Sequence, residues 1–114
     1  MGFFKDHPYD DRFTIDDPAR DKKAGFRIEQ FRFGELAVYF PPMQYLPYAA
    51  CTGVEIVPAS FHVTGGCGKS VPAYAVKMNV GDDEKFISLK MEKKVNAERA
   101  RDHILGKLEL QNRN

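Results

Sequence analysis

The feature that most constrains this chain is the alternation on either side of Gly81-Asp82-Asp83-Glu84. Tyr74, Val76, Met78 and Val80 share one side before it, and Ile87, Leu89 and Met91 share one side after it, with Ser88, Lys90 and Glu92 opposite. A period of two sets every second side chain on one face of an extended strand, and four turn-forming residues between two such runs predict an antiparallel hairpin. The spacing then changes. Ala97, Ala100, Ile104 and Leu108, with Leu105 beside them, recur every three or four residues, so they line one stripe of a helix while Glu98, Arg99, Arg101 and Asp102 stay wet. Asn96 is expected to cap that helix, and Gly106 to end or weaken it. Strands followed by one amphipathic helix predict an α+β fold in which the helix covers an open side of the sheet.

Upstream, apolar residues also alternate in short runs. Phe26 and Ile28 share a side, but Phe31 and Phe33 switch phase, which predicts one strand with a bulge that moves its apolar face. Gly34-Glu35 is expected to turn into a second strand with Leu36, Val38 and Phe40 inward, ended by Pro41-Pro42 because proline cannot donate to a ladder. Tyr45 to Cys51 predicts a brief strand, a proline and a helical turn, then a third strand around Val54 to Val63 that Pro58 marks as broken or at an edge. Thr64 to Pro72 is expected as a Gly-rich loop. Residues 1–23 mix Asp, Lys, Arg and Pro with aperiodic aromatics, and read as an irregular arm in which Asp17-Pro18 starts one helical turn. Residues 24–114 read as a single domain.

A chain of 114 residues has room for one core. With 43% hydrophobic and 29% charged residues it has the balance of a globular domain and not of a disordered one. A net charge of +1 gives no long-range field, so no nucleic-acid partner is expected and any anionic partner needs a local patch. No apolar run approaches the roughly 18 residues of a membrane span, and residues 1–23 lack the apolar stretch of a secretory signal. A cytoplasmic location is therefore expected, with Cys51 and Cys67 as free thiols. Asp6 stands where a myristoylation pattern wants Ser or Thr.

From Gly34 to Leu108 the order of elements resembles the pleckstrin-homology-like (PH-like) superfold. The likeness is carried by Leu36 to Phe40, by Leu46-Pro47-Tyr48 leading to Val54-Glu55-Ile56, by Phe86-Ile87-Ser88-Leu89, and by the helix opening Asn96-Ala97-Glu98-Arg99-Ala100. Small bacterial PH-like proteins look similar. The resemblance implies a strongly bent antiparallel sheet, or partly open barrel, capped by one C-terminal helix. It also implies recognition: such domains bind lipid through a basic cluster on the first two strands, bind peptides beside the last helix, or serve as dimerising scaffolds. Here those strands offer only Arg27 and Arg32, and Glu35 sits in the turn, which departs from the inositol-lipid pattern.

Chemical motifs are few. Gly65-Gly66-Cys67-Gly68-Lys69-Ser70 ends like a phosphate-binding loop, but Val63 stands where the motif needs its first glycine, and an alternating strand follows where it needs a helix. The plain reading is a hairpin loop. Cys51, His62 and Cys67 lack the close pairing of structural zinc ligands, and Cys67 or Ser70 beside His62 lacks a base held by a third group. His7 and His103 read as surface groups. No cofactor, metal ligand or catalytic residue is expected.

The basic surplus lies late in the chain, where Lys85, Lys90, Lys93, Lys94, Arg99, Arg101 and Lys107 outnumber Glu92, Glu98 and Asp102 by four. Aromatics exceed the needs of a small core, unless the arm docks on the sheet and uses them internally. The expected interaction surface is Lys90, Lys93, Lys94, Arg99 and Arg101 with Tyr45 and Tyr48. The expected function is a non-catalytic binding or scaffold module for a protein, a peptide or a second copy of the chain, docked beside the Asn96 to Leu108 helix or on an edge strand. The alternatives are peripheral binding to anionic membrane lipid through the basic end and Phe3-Phe4, and a small enzyme or nucleotide binder built on Gly65 to Ser70.

Overall fold

The computed structural model describes residues 6–62, 70–81 and 84–112. In chain order the elements are β1 (His7–Pro8), α1 (Pro18–Ala24), β2 (Phe26–Ile28), β3 (Phe31–Phe33), β4 (Ala37–Phe40), β5 (Gln44–Pro47), a 3-10 turn (Tyr48–Ala50), β6 (Cys51–His62), β7 (Ser70–Val80), β8 (Lys85–Met91) and α2 (Lys94–Asn112). They make an α+β fold with two sheets, ordered β1-β5-β4-β3-β2 and β6-β7-β8, which do not close into a barrel. Every neighbouring pair is antiparallel except β1 with β5.

The β7–β8 hairpin has the register that the alternation requires. Val76 pairs with Leu89 and Met78 with Ile87, and all four are buried together with Val80 and Met91. Gly81 takes a φ of 61°, a conformation glycine adopts without steric cost, while residues 82 and 83 lie outside the described residues. Pro58 does not break β6. The strand pairs with β7 along one side only, which is where a residue without an N–H is tolerated. Ser70 to Pro72, expected in a loop, belong to β7; residues 63–69, which hold the rest of that loop, its glycines and Cys67, lie outside the described residues.

The expected bulged first strand is instead a hairpin. β2 and β3 pair as Phe26 with Phe33, Arg27 with Arg32 and Ile28 with Phe31, around the turn residues Glu29 and Gln30. Across a two-residue turn, residues three apart sit opposite each other and face the same way. Parity therefore flips between Ile28 and Phe31, and the flip that suggests a bulge in one strand is the mark of the turn. Glu29 has a φ of 54°, unusual for a side chain of its kind, and its carboxylate anchors the turn elsewhere, as shown below.

One core joins both sheets and α2. Ile28, Phe31, Phe33, Val38 and Leu46 meet Val76, Met78, Leu89 and Met91, with Ala97, Ala100 and Ile104 closing the space from the helix. Leu36 departs from the expected inward row: it lies in the β3–β4 turn and is 56% exposed. α2 starts at Lys94, so Asn96 sits inside its first turn and not at the cap, and Gly106 lies in the helix interior. Leu105, expected beside the apolar stripe, is exposed.

The segment expected as an irregular arm carries β1 and α1. Asp17 caps α1 as predicted, its Oδ1 accepting from Arg20 N at 3.1 Å. The arm lies on the outer face of the larger sheet, where Ile15 packs on Ala37, Tyr39 and Tyr45. No helix among the described residues is long and apolar enough to cross a membrane.

Candidate functional site

The outer face of the larger sheet carries one row across four strands, Arg27–Arg32–Tyr39–Tyr45, each residue paired with the next. α1 and the arm cover the tyrosine end and leave the arginine end open. Asp21 holds that cover in place. Its Oδ1 accepts from Glu35 N at 2.9 Å and Leu36 N at 3.0 Å, and its Oδ2 accepts from Ala37 N at 3.2 Å and Tyr39 Oη at 2.8 Å. A buried carboxylate is tolerated because four donors replace its water. Gly34 is required here by close approach, since a Cβ would stand 2.1 Å from Asp21 Oδ2. Burial, reinforced by the Asp21 hydrogen bond, raises the Tyr39 pKa and keeps that phenol a donor.

At the open end two arginines stand directly opposite each other, an arrangement that repulsion disfavours unless something negative offsets it. The last carbonyls of α1 do so for Arg32. Its Nε donates to Lys22 O at 3.0 Å, and its Nη2 donates to Gly25 O at 2.9 Å and to Lys23 O at 3.4 Å. Arg27 donates through Nε to the carbonyl O of Glu29, in its own turn. Lys22 Nζ stands 3.2 Å from both carboxylate oxygens of Asp6, whose side chain is only 9% exposed.

These cations form one wall of an open cleft of about 380 Å³. Asp6 and the apolar run Phe40, Pro41, Pro42 and Met43 also line it, with a cis Pro41-Pro42 peptide and Met43 at a φ of 57°. With Lys22 paired to Asp6 and Arg32 held by backbone carbonyls, the Arg27 fork beside an apolar run suits a ligand that carries a carboxylate on a partly apolar body.

The expected basic surface does not gather. Lys90 lies on the outer face of β8, its Nζ 5.4 Å from the centre of the Phe61 ring. Lys93 and Lys94 stand exposed at the start of α2. Arg99 and Arg101 are two residues apart on a helix, hence about 200° apart around its axis. Arg101 also pairs with Asp102 at 3.0 Å.

Tyr45 and Tyr48 correct the expected surface more strongly, because each is 2% exposed. Tyr45 lies beneath the arm, where its Oη accepts from Ile15 N at 3.3 Å. Tyr48 is in the main core, donating through Oη to Gly34 O at 3.0 Å, with His103 Nε2 3.2 Å from the same oxygen. His103 is accordingly no surface group: it packs edge-on against Phe26, Phe33 and Tyr48. Burial lowers its pKa and Lys107 adds to the effect.

Cys51 is buried, its thiol raised to about 11 by burial, which suits packing and not nucleophilic chemistry. Among the described residues no group of three or more His, Cys, Asp or Glu is placed to hold a metal ion. The cleft itself escapes a linear reading because Arg27 and Arg32 sit in what looks like one strand. The parity flip at Ile28 and Phe31 is the signal that pairs them. Compared with protein-family models, with curated proteins and with solved structures, the chain matches none.

Proposed function

We propose that this chain is a PH-like, non-catalytic binding module that recognises an acidic segment of a protein in the Arg27–Arg32 cleft. The observation that carries the reading is the state of Arg27: its Nε is held by Glu29 O, while its two terminal nitrogens, the fork that grips a carboxylate, meet no partner among the described residues. Support also comes from Asp6, which sets a carboxylate of the chain's own against Lys22 in the same cleft. The apolar wall adds area that a purely charged ligand does not use. Antiparallel strands ending in a single C-terminal helix are in keeping with the PH-like part of the proposal.

A tiled array of acidic peptides probed with the purified chain tests this. Binders are expected whose affinity falls with added salt and drops by about tenfold or more in Arg27→Gln, the scale of a lost charge-assisted hydrogen-bond pair. An array without a binder overturns the reading. Flotation with phosphatidylserine vesicles separates lipid from protein: vesicle binding that Arg27→Gln abolishes, without peptide binding, assigns the cleft to lipid.

A further inference from the structure

A second hollow, of about 370 Å³, lies on the other side of the β2–β3 turn, between that turn and the outer face of the smaller sheet. Phe61 and Lys90 line its far side, and Arg27 and Gln30 line both hollows. The two hollows therefore adjoin across a ridge, the end of the β2–β3 hairpin, which bears Arg27 on β2 and Gln30 in the turn. That ridge is fixed. Glu29 accepts from Glu92 N at 2.8 Å, Lys93 N at 3.2 Å and Asn96 Nδ2 at 3.1 Å, which ties the turn to the start of α2 and occupies the carboxylate nearest Arg27 in sequence. In the second hollow Arg27 and Lys90 stand with Glu29, whose carboxylate is taken up by those three donors, and with the exposed Glu92, and neither cation pairs with a carboxylate among the described residues.

An apolar wall lies beyond each flank of this cationic ridge: Phe40 to Met43 in the first hollow and the Phe61 ring in the second. In an extended chain, side chains two residues apart point the same way and stand roughly 7 Å from one another. Resting on the reading of the cleft as an acidic-segment site, we infer that the ligand is an extended protein segment laid across both hollows. Its central Asp or Glu meets Arg27, and an apolar side chain two residues to either side enters each hollow. Charge complementarity selects the centre and the two apolar walls select the flanks. The pattern recognised is apolar, any residue, acidic, any residue, apolar.

Fluorescence anisotropy with the whole chain tests this using short labelled peptides. The probes are leucine, serine, glutamate, serine, phenylalanine between glycines, the same peptide with glutamine at the centre, the same peptide with both apolar residues changed to serine, and hexaglutamate. The first peptide is expected to bind about tenfold or more tighter than the other three. Phe61→Ala is expected to weaken the first peptide severalfold and leave hexaglutamate unchanged. Arg27→Lys, which keeps the charge and removes the fork, is expected to weaken every glutamate-containing probe, and thermal melts confirm that both variants fold. If hexaglutamate binds as well as the first peptide and Phe61→Ala changes nothing, the two-hollow pattern is overturned while the acidic-segment reading stands. If no glutamate-containing probe binds, both fall.

Discussion

Asp21 shows how one side chain can join distant parts of a small fold. It stands on α1 and accepts hydrogen bonds from the amides of residues 35 to 37 and from the Tyr39 hydroxyl. Asp21→Ala leaves those donors without their acceptor in a place water reaches poorly. The expected loss is about 2–4 kcal/mol in urea unfolding, with Asp21→Asn losing less because its amide oxygen still accepts. His103 contributes to the loss of stability in acid. Its folded pKa lies below the usual 6.5, so the unfolded chain binds the proton more readily, and stability is lost as pH falls below 6.5 toward the lowered value. Above 6.5 both states hold the neutral ring and the effect vanishes. Of the groups facing it, Lys107 lowers the pKa and Glu35 opposes that, so His103→Gln is expected to flatten the acid-side slope of Tm against pH.

At the scale of elements, α2 owes its position to packing on one side and to the Glu29 carboxylate near its start. Gly106 interrupts neither. A Cβ placed there meets nothing within 4 Å, so the residue costs helix stability without serving a contact. Gly106→Ala is expected to raise stability by up to about 1 kcal/mol, seen as a higher Tm in circular dichroism, with ligand binding unchanged. The β2–β3 hairpin illustrates the other kind of element, one made by its turn. Residues of the same hydrophobic class serve a bulged strand or a hairpin equally well; the hydrogen bonds between Glu29 and residues 92 to 96 hold the turn of the hairpin.

At the scale of the whole molecule, the arm is part of the folded unit and not an appendage. β1 adds to the edge of the larger sheet, with His7 N donating to Met43 O at 2.7 Å and Tyr9 N to Tyr45 O at 2.8 Å, while Ile15 packs against Ala37, Tyr39 and Tyr45. Deleting residues 1–23 uncovers those side chains and removes Asp21 from its four donors. A loss of more than about 3 kcal/mol is expected by urea titration, a large share of what a domain of this size holds. A truncated chain as stable as the full one shows that the arm only decorates the sheet.

The period-two runs around residue 81 and the three- and four-residue spacing after residue 96 were enough to specify an antiparallel hairpin, a C-terminal helix and the α+β class, because those periods are local properties of strand and helix geometry. The 3-10 turn after Pro47 and the Asp17 cap were legible for the same local reason. Everything that makes the cleft was decided by tertiary contact. Glu29 and Glu92 lie 63 residues apart, and Asp21 and Tyr39 lie 18 apart, so no neighbouring residue announces either partnership. Tyr45 and Tyr48 look available in a linear string, yet whether an aromatic ring faces water depends on what the rest of the chain lays over it. The arm covers one, and the main core, with His103 at its hydroxyl, encloses the other.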